Sequence, residues 1–225
     1  MELYRAAWEK SYVRKDNFIF YPKEEVLKFI SRYVRKRVGL KEFKDVLDFK
    51  VKVRGLDLGC GIGRQAILME EFGIESYGLD ISAEAIARAK EMAIFFGLPL
   101  LADRLQVTDG ASIPFPDNFF MVSICEAVLD SMTFELACKN INELSRVTEK
   151  LAFISLIFDQ KGIKEEIVST EHEKGTIQCY YDDKKIDSLL AGTGFIKKSQ
   201  YLIKEISSLP VYEHGRYFLI LEKNG

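Results

Sequence analysis

From about residue 50 onward, short apolar runs alternate with stretches in which apolar side chains recur every three or four positions. The runs have the length of strands, and the recurrent stretches are helices buried on one face. Their alternation predicts a parallel sheet with helices on both faces. Strands are expected just before Gly59 and at 74–80, 105–108, 119–125 and 151–158. Gly73 is a good left-handed terminator for the first intervening helix. Ser82 caps the next, which has Ile86, Ala89, Ala93 and Phe96 on its buried face and ends at Gly97 and Pro99. A third carries Leu136, Ile141, Leu144 and Val147. Two last strands, at 195–206 and 215–223, lie close enough in sequence to pair antiparallel, after a helix opened by Asp182 or Asp183.

Two segments depart from this alternation. Tyr4, Trp8 and Tyr12 are four residues apart and share one face of a helix. Pro22 suits the start of a second helix, with Val26, Leu27, Phe29, Ile30, Tyr33 and Val34 on one side until Gly39. Residues 1–39 are therefore expected to form a helical cover, packed on the body or lying over a bound molecule. The cations Arg32, Arg35, Lys36, Arg37 and Lys41 read as a solvated face of that second helix. Residues 159–181 read as an inserted arm, a hairpin around Glu173-Lys174-Gly175. No repeat or linker divides the chain, so 1–225 is expected to be one domain: cover, core at 50–158, arm, and a C-terminal helix and strand pair at 182–225.

The chemistry is concentrated at 55–64, GLDLGCGIGR. A strand here runs into three alternating glycines and then a helix start. Glycine is needed where the backbone takes positive φ or lies directly against a ligand. The helix behind presents unpaired N–H groups and the positive end of its dipole. A nucleotide-like cofactor is the natural occupant. The dinucleotide fingerprint wants glycine at positions one, three and six. Counted from Gly59 the sixth position is Arg64, and counted from Gly61 it is Ala66, which only the looser form permits.

The alternation of Asp57, Gly59, Gly61 and Gly63 instead resembles motif I of the class I S-adenosylmethionine (SAM) dependent methyltransferases. The resemblance runs from about residue 53 to 223. Tyr77-Gly78-Leu79-Asp80 resembles the acidic end of the second strand, 17 residues beyond Gly63, near the roughly 20 that a helix and a strand occupy. Val107-Thr108-Asp109-Gly110-Ala111 resembles the third motif. Phe115-Pro116-Asp117-Asn118-Phe119 and Glu143-Leu144-Ser145-Arg146-Val147 resemble the small-molecule and lipid-precursor branch.

That resemblance implies a doubly wound, mostly parallel seven-stranded α/β sheet of the Rossmann-like methyltransferase type, with SAM as cofactor. Asp80 would accept hydrogen bonds from the ribose hydroxyls, and Ile81 would wall the adenine. Asp109 would take the adenine amino group, with the backbone of Gly110 and Ala111 at the ring. Asp57 would act on the methionine end, directly or through the glycine turn, and the Cys125 carbonyl would face the cofactor's amino group. Cys60 is a contact residue in this family rather than a nucleophile. The family commonly has Asp-His after the fourth strand, whereas Asp130 is followed here by Ser131. Candidate bases are then Asp130 and, reaching over from the arm, His172, with Glu126 and His214 behind them.

Composition narrows the alternatives. A chain of 225 residues, 48% hydrophobic and 29% charged, can bury about 70–75% of its unfolded surface. Its apolar runs are shorter than the ~20 residues of a membrane span, and the start MELYRAAWEK lacks the apolar centre of a signal peptide. A cytoplasmic protein is expected. Four scattered cysteines and two histidines give no zinc or disulfide spacing. A net charge of −2 gives no strong nucleic-acid signal. The expectation is methyl transfer to an O or N atom of a small or medium-sized acceptor, by a monomer or homodimer. The alternatives are a cofactor-binding domain without catalysis and, less favoured by the glycine spacing, an NAD-dependent oxidoreductase.

Overall fold

The structure, a computed structural model, describes residues 2–48, 52–159, 162, 164–171, 173–208 and 211–224. Among these, seven strands form one sheet: β3 (Arg54–Leu58), β4 (Glu75–Asp80), β5 (Leu105–Val107), β6 (Phe120–Cys125), β7 (Thr148–Ile157), β10 (Phe195–Ser208) and β11 (Val211–Lys223). Their spatial order is β10-β11-β7-β6-β3-β4-β5. The five strands from β7 to β5 are parallel. β11 runs antiparallel to both β7 and β10. This is the doubly wound sheet that the alternating pattern predicts.

Between the parallel strands run α3 (Arg64–Glu71), α4 (Ala83–Phe95), the short α5 (Pro99–Asp103) and α6 (Phe134–Val147). Successive residues of a strand face opposite sides, and in β7 they feed two separate cores. Ala152, Ile154 and Leu156 meet Ile141 and Leu144 of α6 and Ile186 of α7 (Asp183–Leu190). Leu151 and Phe153 meet Leu68 and Met69 of α3 with Val26, Phe29 and Ile30. Every residue of β6 is buried, as expected for a central strand covered on both faces.

The expected caps are in place: Ser82 accepts from the Ala85 N–H and Asp182 from Lys185. Thr133, which the sequence pattern does not single out, caps α6 by accepting from the Leu136 N–H. The arm is an antiparallel hairpin, β8 (Glu165–Ile167) with β9 (Ile177–Cys179). The N-terminal segment corrects one expectation. After α1 (Glu2–Arg14), α2 (Glu24–Phe29) continues as a π-helical turn through Val34 and stops there, five residues before Gly39. Arg35–Arg37 is strand β1, paired antiparallel with β2 (Phe43–Asp45). The chain turns here because Phe43 packs on Phe72 and Arg35 is drawn to Asp45 at 2.5 Å and to the Gly73 carbonyl at 2.9 Å. All of the basic cluster but Arg32, which stays in the π-helical turn, is thus spread over a hairpin rather than along a helix.

Candidate active site

The strand order reverses between β3 and β6, whose crossovers depart in opposite directions, and open α/β sheets bind ligands outside the carboxyl ends of such a pair. Here β3 ends in the glycine turn. Gly59, Gly61 and Gly63 have φ of 71°, 53° and 86°, a region costly for residues with a Cβ. A Cβ at Gly59 would stand 2.2 Å from Val128, and one at Gly61 would stand 2.6 Å from the Tyr12 hydroxyl. The positive φ expected of these glycines is observed, and the groups that approach the main chain there are the side chains of Val128 and Tyr12.

Asp80 joins this turn to β4. Its carboxylate accepts from the Gly61 N–H at 2.9 Å and from the Ser82 N–H at 2.9 Å. Burial raises its pKa, and those N–H groups work the other way. Two carboxylate oxygens offer about four acceptor sites, so two backbone donors leave room for ligand hydroxyls. Above the turn lies a cavity of about 110 Å³. Gly59, Asp80, Ile81, Asp109 and Gly110 all line it. Asp109 accepts from the Ala111 and Ser112 N–H groups at 2.8 and 3.1 Å, which hold its carboxyl below the usual range.

Helix α1 forms the roof. Arg5, Trp8 and Tyr12 line the cavity, three residues at i, i+3 and i+7 on one helix face. Arg5 Nε donates to the Ile81 carbonyl at 2.9 Å. Glu9 takes the Ser82 hydroxyl at 2.6 Å and the Glu84 N–H at 3.1 Å, capping α4 from another element. Burial first, and the nearby Asp80 second, push the Tyr12 phenol up, so it stays protonated. Tyr21, a candidate aromatic neighbour, is exposed.

Several expected residues stand back from the cavity. The Cys60 side chain packs behind the turn with Ala66, Ile67, Ile86 and Leu105, and burial pushes its thiol up. Asp57 accepts from the Ala66 N–H at 3.1 Å, so its contact is with the start of α3. Cys125 is fully buried in the core. Asp130 is also fully buried; its carboxylate takes Arg216 Nη1 at 2.7 Å and the Ile157 N–H at 2.9 Å. Burial raises its pKa, with Arg216 opposing. Its partners come from β7 and β11 rather than from the cavity, which corrects the picture of an accessible base. His172 lies outside the described residues.

Asp130 shapes the loop after β6 instead. Arg216 also donates to Ser155, whose hydroxyl accepts the Ala127 N–H at 3.0 Å, and Ala127 has φ +58°. The Tyr181 hydroxyl donates to the Leu129 carbonyl at 2.9 Å. This loop brings Val128, Ser131 and Met132 to the cavity. Asn140 on α6 also reaches it and donates to the Gly110 carbonyl at 3.1 Å. Beside the turn, Arg64 pairs with Glu126 at 2.9 Å, and the side chains are 14% and 3% exposed. The second Glu126 oxygen and the Gln65 amide are buried without a partner among the described residues. The pattern of residues held no signal for Arg216 or Asn140, but Arg5 shares the helical spacing that singles out Trp8 and Tyr12.

With this geometry in view, comparison with known proteins points the same way. The family model described as "Methyltransferase domain" matches residues 56–155, the span from β3 to β7. Over that span the chain resembles the class I SAM-dependent methyltransferases. Phosphoethanolamine N-methyltransferase 3 of Arabidopsis thaliana is 41% identical over 83 residues, 36% of this chain and 16% of that protein. An uncharacterized protein of Methanocaldococcus jannaschii is 31% identical over 130 residues, 57% of this chain and 49% of that one. The chain thus spans at most about half the length of these curated relatives.

Solved structures share the methyltransferase fold at low identity. A SAM-dependent methyltransferase of Methanosarcina mazei superposes with a TM-score of 0.64 at 19% identity, covering 77% of this chain and 93% of that one. The [4+2]-cyclase SpnF gives 0.65 at 17%, covering 99% and 93%. Magnesium protoporphyrin IX methyltransferase from Synechocystis, solved with bound SAM, gives 0.57 at 19%, covering 76% and 69%. SAM is the cofactor that this domain family implies. The glycine turn closely approached at Gly59 and Gly61, with a cavity-lining Asp80 of spare acceptor capacity, fits such a molecule.

Proposed function

We propose that the protein transfers the methyl group of SAM to an O or N atom of a small or medium-sized metabolite. The observation that carries this reading is the bond from Gly61 N–H to Asp80. It fixes a ribose-type acceptor against a closely approached glycine turn at the point where the strand order reverses. Asp80 would hold the ribose, Ile81 the adenine face, and Asp109 with Gly110 its edge. Gly59, Gly61 and Gly63 would give the methionine portion access to the main chain. Arg64 and Glu126 offer opposite charges beside it, and the open Glu126 oxygen is an acceptor for an ammonium group.

SAM supplies an electrophilic methyl on a sulfonium. The protein's task is then alignment and exclusion of water, and a near-attack arrangement lowers a barrier by roughly 7–11 kcal/mol. The Trp8 ring at the cavity suits a cationic centre, an effect of about 0.5–2 kcal/mol. Asp130 is assigned to holding the loop, which leaves His172, Glu126 and His214 as candidate bases; His172→Ala tests the first of them. The phosphoethanolamine N-methyltransferase relatives favour an amine acceptor.

A second reading, cofactor binding without catalysis, is favoured by the commitment of Asp130 to Arg216. Titration calorimetry with SAM, its demethylated product and NAD tests the cofactor. The first two bind and NAD does not, and Asp80→Ala weakens SAM by about 1–3 kcal/mol. Uptake of NAD alone would end the methyltransferase reading. A screen of metabolites with methyl-labelled SAM separates an enzyme from a binding domain.

A further inference from the structure

The β1–β2 hairpin and the end of α4 lie at the same end of the sheet. Arg35 ties the hairpin to the carbonyls of Phe72 and Gly73, just before β4 begins. The end of α4 and then α5 lead into the start of β5. Both therefore sit at the amino ends of the parallel strands, opposite the cleft.

This end exposes apolar side chains at its apices. Leu40, in the hairpin turn, is 88% exposed, and Val38 beside it is exposed too. Phe95, where α4 stops, is 82% exposed, with Phe96 against it edge-on at 5.4 Å. The hairpin adds charge. Lys36 and Lys44 face each other directly across the two strands, a like-charge pairing that opposes folding unless an anion compensates it. Arg32, Arg37 and Lys41 are exposed around them, on a chain whose net charge is −2.

We propose that this end docks on the surface of an anionic lipid bilayer. Apolar side chains at projecting apices, flanked by cations, enter the headgroup region while the cations meet acidic headgroups. A second copy is disfavoured, because a two-fold contact would set this cationic hairpin against itself. A nucleic acid would compensate the lysines but would leave Leu40 unexplained. Docked in this way, the protein holds its cleft toward the water.

Sedimentation of the full chain with vesicles tests the proposal, comparing phosphatidylcholine alone with a mixture containing phosphatidylglycerol. Partition onto the mixed vesicles is at least about tenfold stronger and weakens in high salt, as electrostatic attraction to a surface requires. Lys36→Glu with Lys44→Glu lowers it by about tenfold, and Leu40→Asp and Phe95→Asp each lower it by at least about threefold. These exposed changes leave the melting curve and SAM titration unaltered, which shows that the variants are folded. Equal partition onto both vesicle types, or variants that partition like the parent, would overturn the proposal. So would a dimer in light scattering that Phe95→Asp disperses, since the occupant would then be a second copy.

Discussion

At Asp57, burial and hydrogen bonding pull in opposite directions. The carboxyl lies under the glycine turn and accepts from Ala66, yet burial pushes its pKa up to about 7, with Arg64 working the other way. A carboxyl whose native pKa lies above its unfolded 3.8 binds more protons in the native state. The stability it confers is full below about pH 4 and is lost as pH rises to about 7. Urea unfolding across that window is expected to show the decline, and Asp57→Asn is expected to flatten it. At Asp130 burial again raises the pKa, but here the opposing cation is in contact at 2.7 Å. Arg216→Met strands that carboxylate and is expected to cost about 3–5 kcal/mol in urea unfolding, and adding Asp130→Asn recovers part of the loss. A catalytic Asp130 would instead lose turnover on Asp130→Asn with its stability unchanged. The positive φ of the glycine turn and the shared cavity wall of Asp80 and Asp109 were legible because neighbours in sequence dictate their geometry. The contact of Asp130 with Arg216 was not, since the two lie 86 residues apart.

Among the elements, α1 bears on access. Its Arg5, Trp8 and Tyr12 line the cavity, so a ligand there lies beneath this helix and an outward swing of α1 would open its way. It is tied by polar contacts, Arg5 to Ile81 and Thr108 and Glu9 to Ser82 and Glu84, and by Tyr12 and Trp8 packing with Ile62 and Ala85. Glu9→Ala removes a cap worth about 0.5–2 kcal/mol from α4. It is expected to speed both entry and release of SAM in stopped-flow fluorescence of Trp8, the single tryptophan. Rates unchanged by Glu9→Ala would show that α1 is no gate. The aromatic stripe made α1 legible. The hairpin after α2 was not, because helical spacing through Val34 gives no notice that Phe43 will find Phe72. The arm was legible from its turn residues, Glu173-Lys174-Gly175.

For the molecule as a whole, the alternation of strands and helices was sufficient to give the parallel core, because β6 and most of β7 are nearly continuous apolar runs. The strand order was not legible, since periodicity does not say which strands are neighbours. A ligand seated between β3 and β6 bridges both halves of this sheet and stabilises all of it. SAM at about 100 times its dissociation constant is expected to add about 2.7 kcal/mol. That is a rise of roughly 5–11 °C in melting temperature for a chain of this size, readable by differential scanning fluorimetry, with NAD leaving the curve in place. The tie from Arg216 to the loop carrying Val128 and Met132 sets a timetable as well as a shape. During synthesis the mouth of the cleft cannot take its final form until residue 216 has cleared the ribosome, so a nascent polypeptide paused short of its last strand would carry every motif and still be inert.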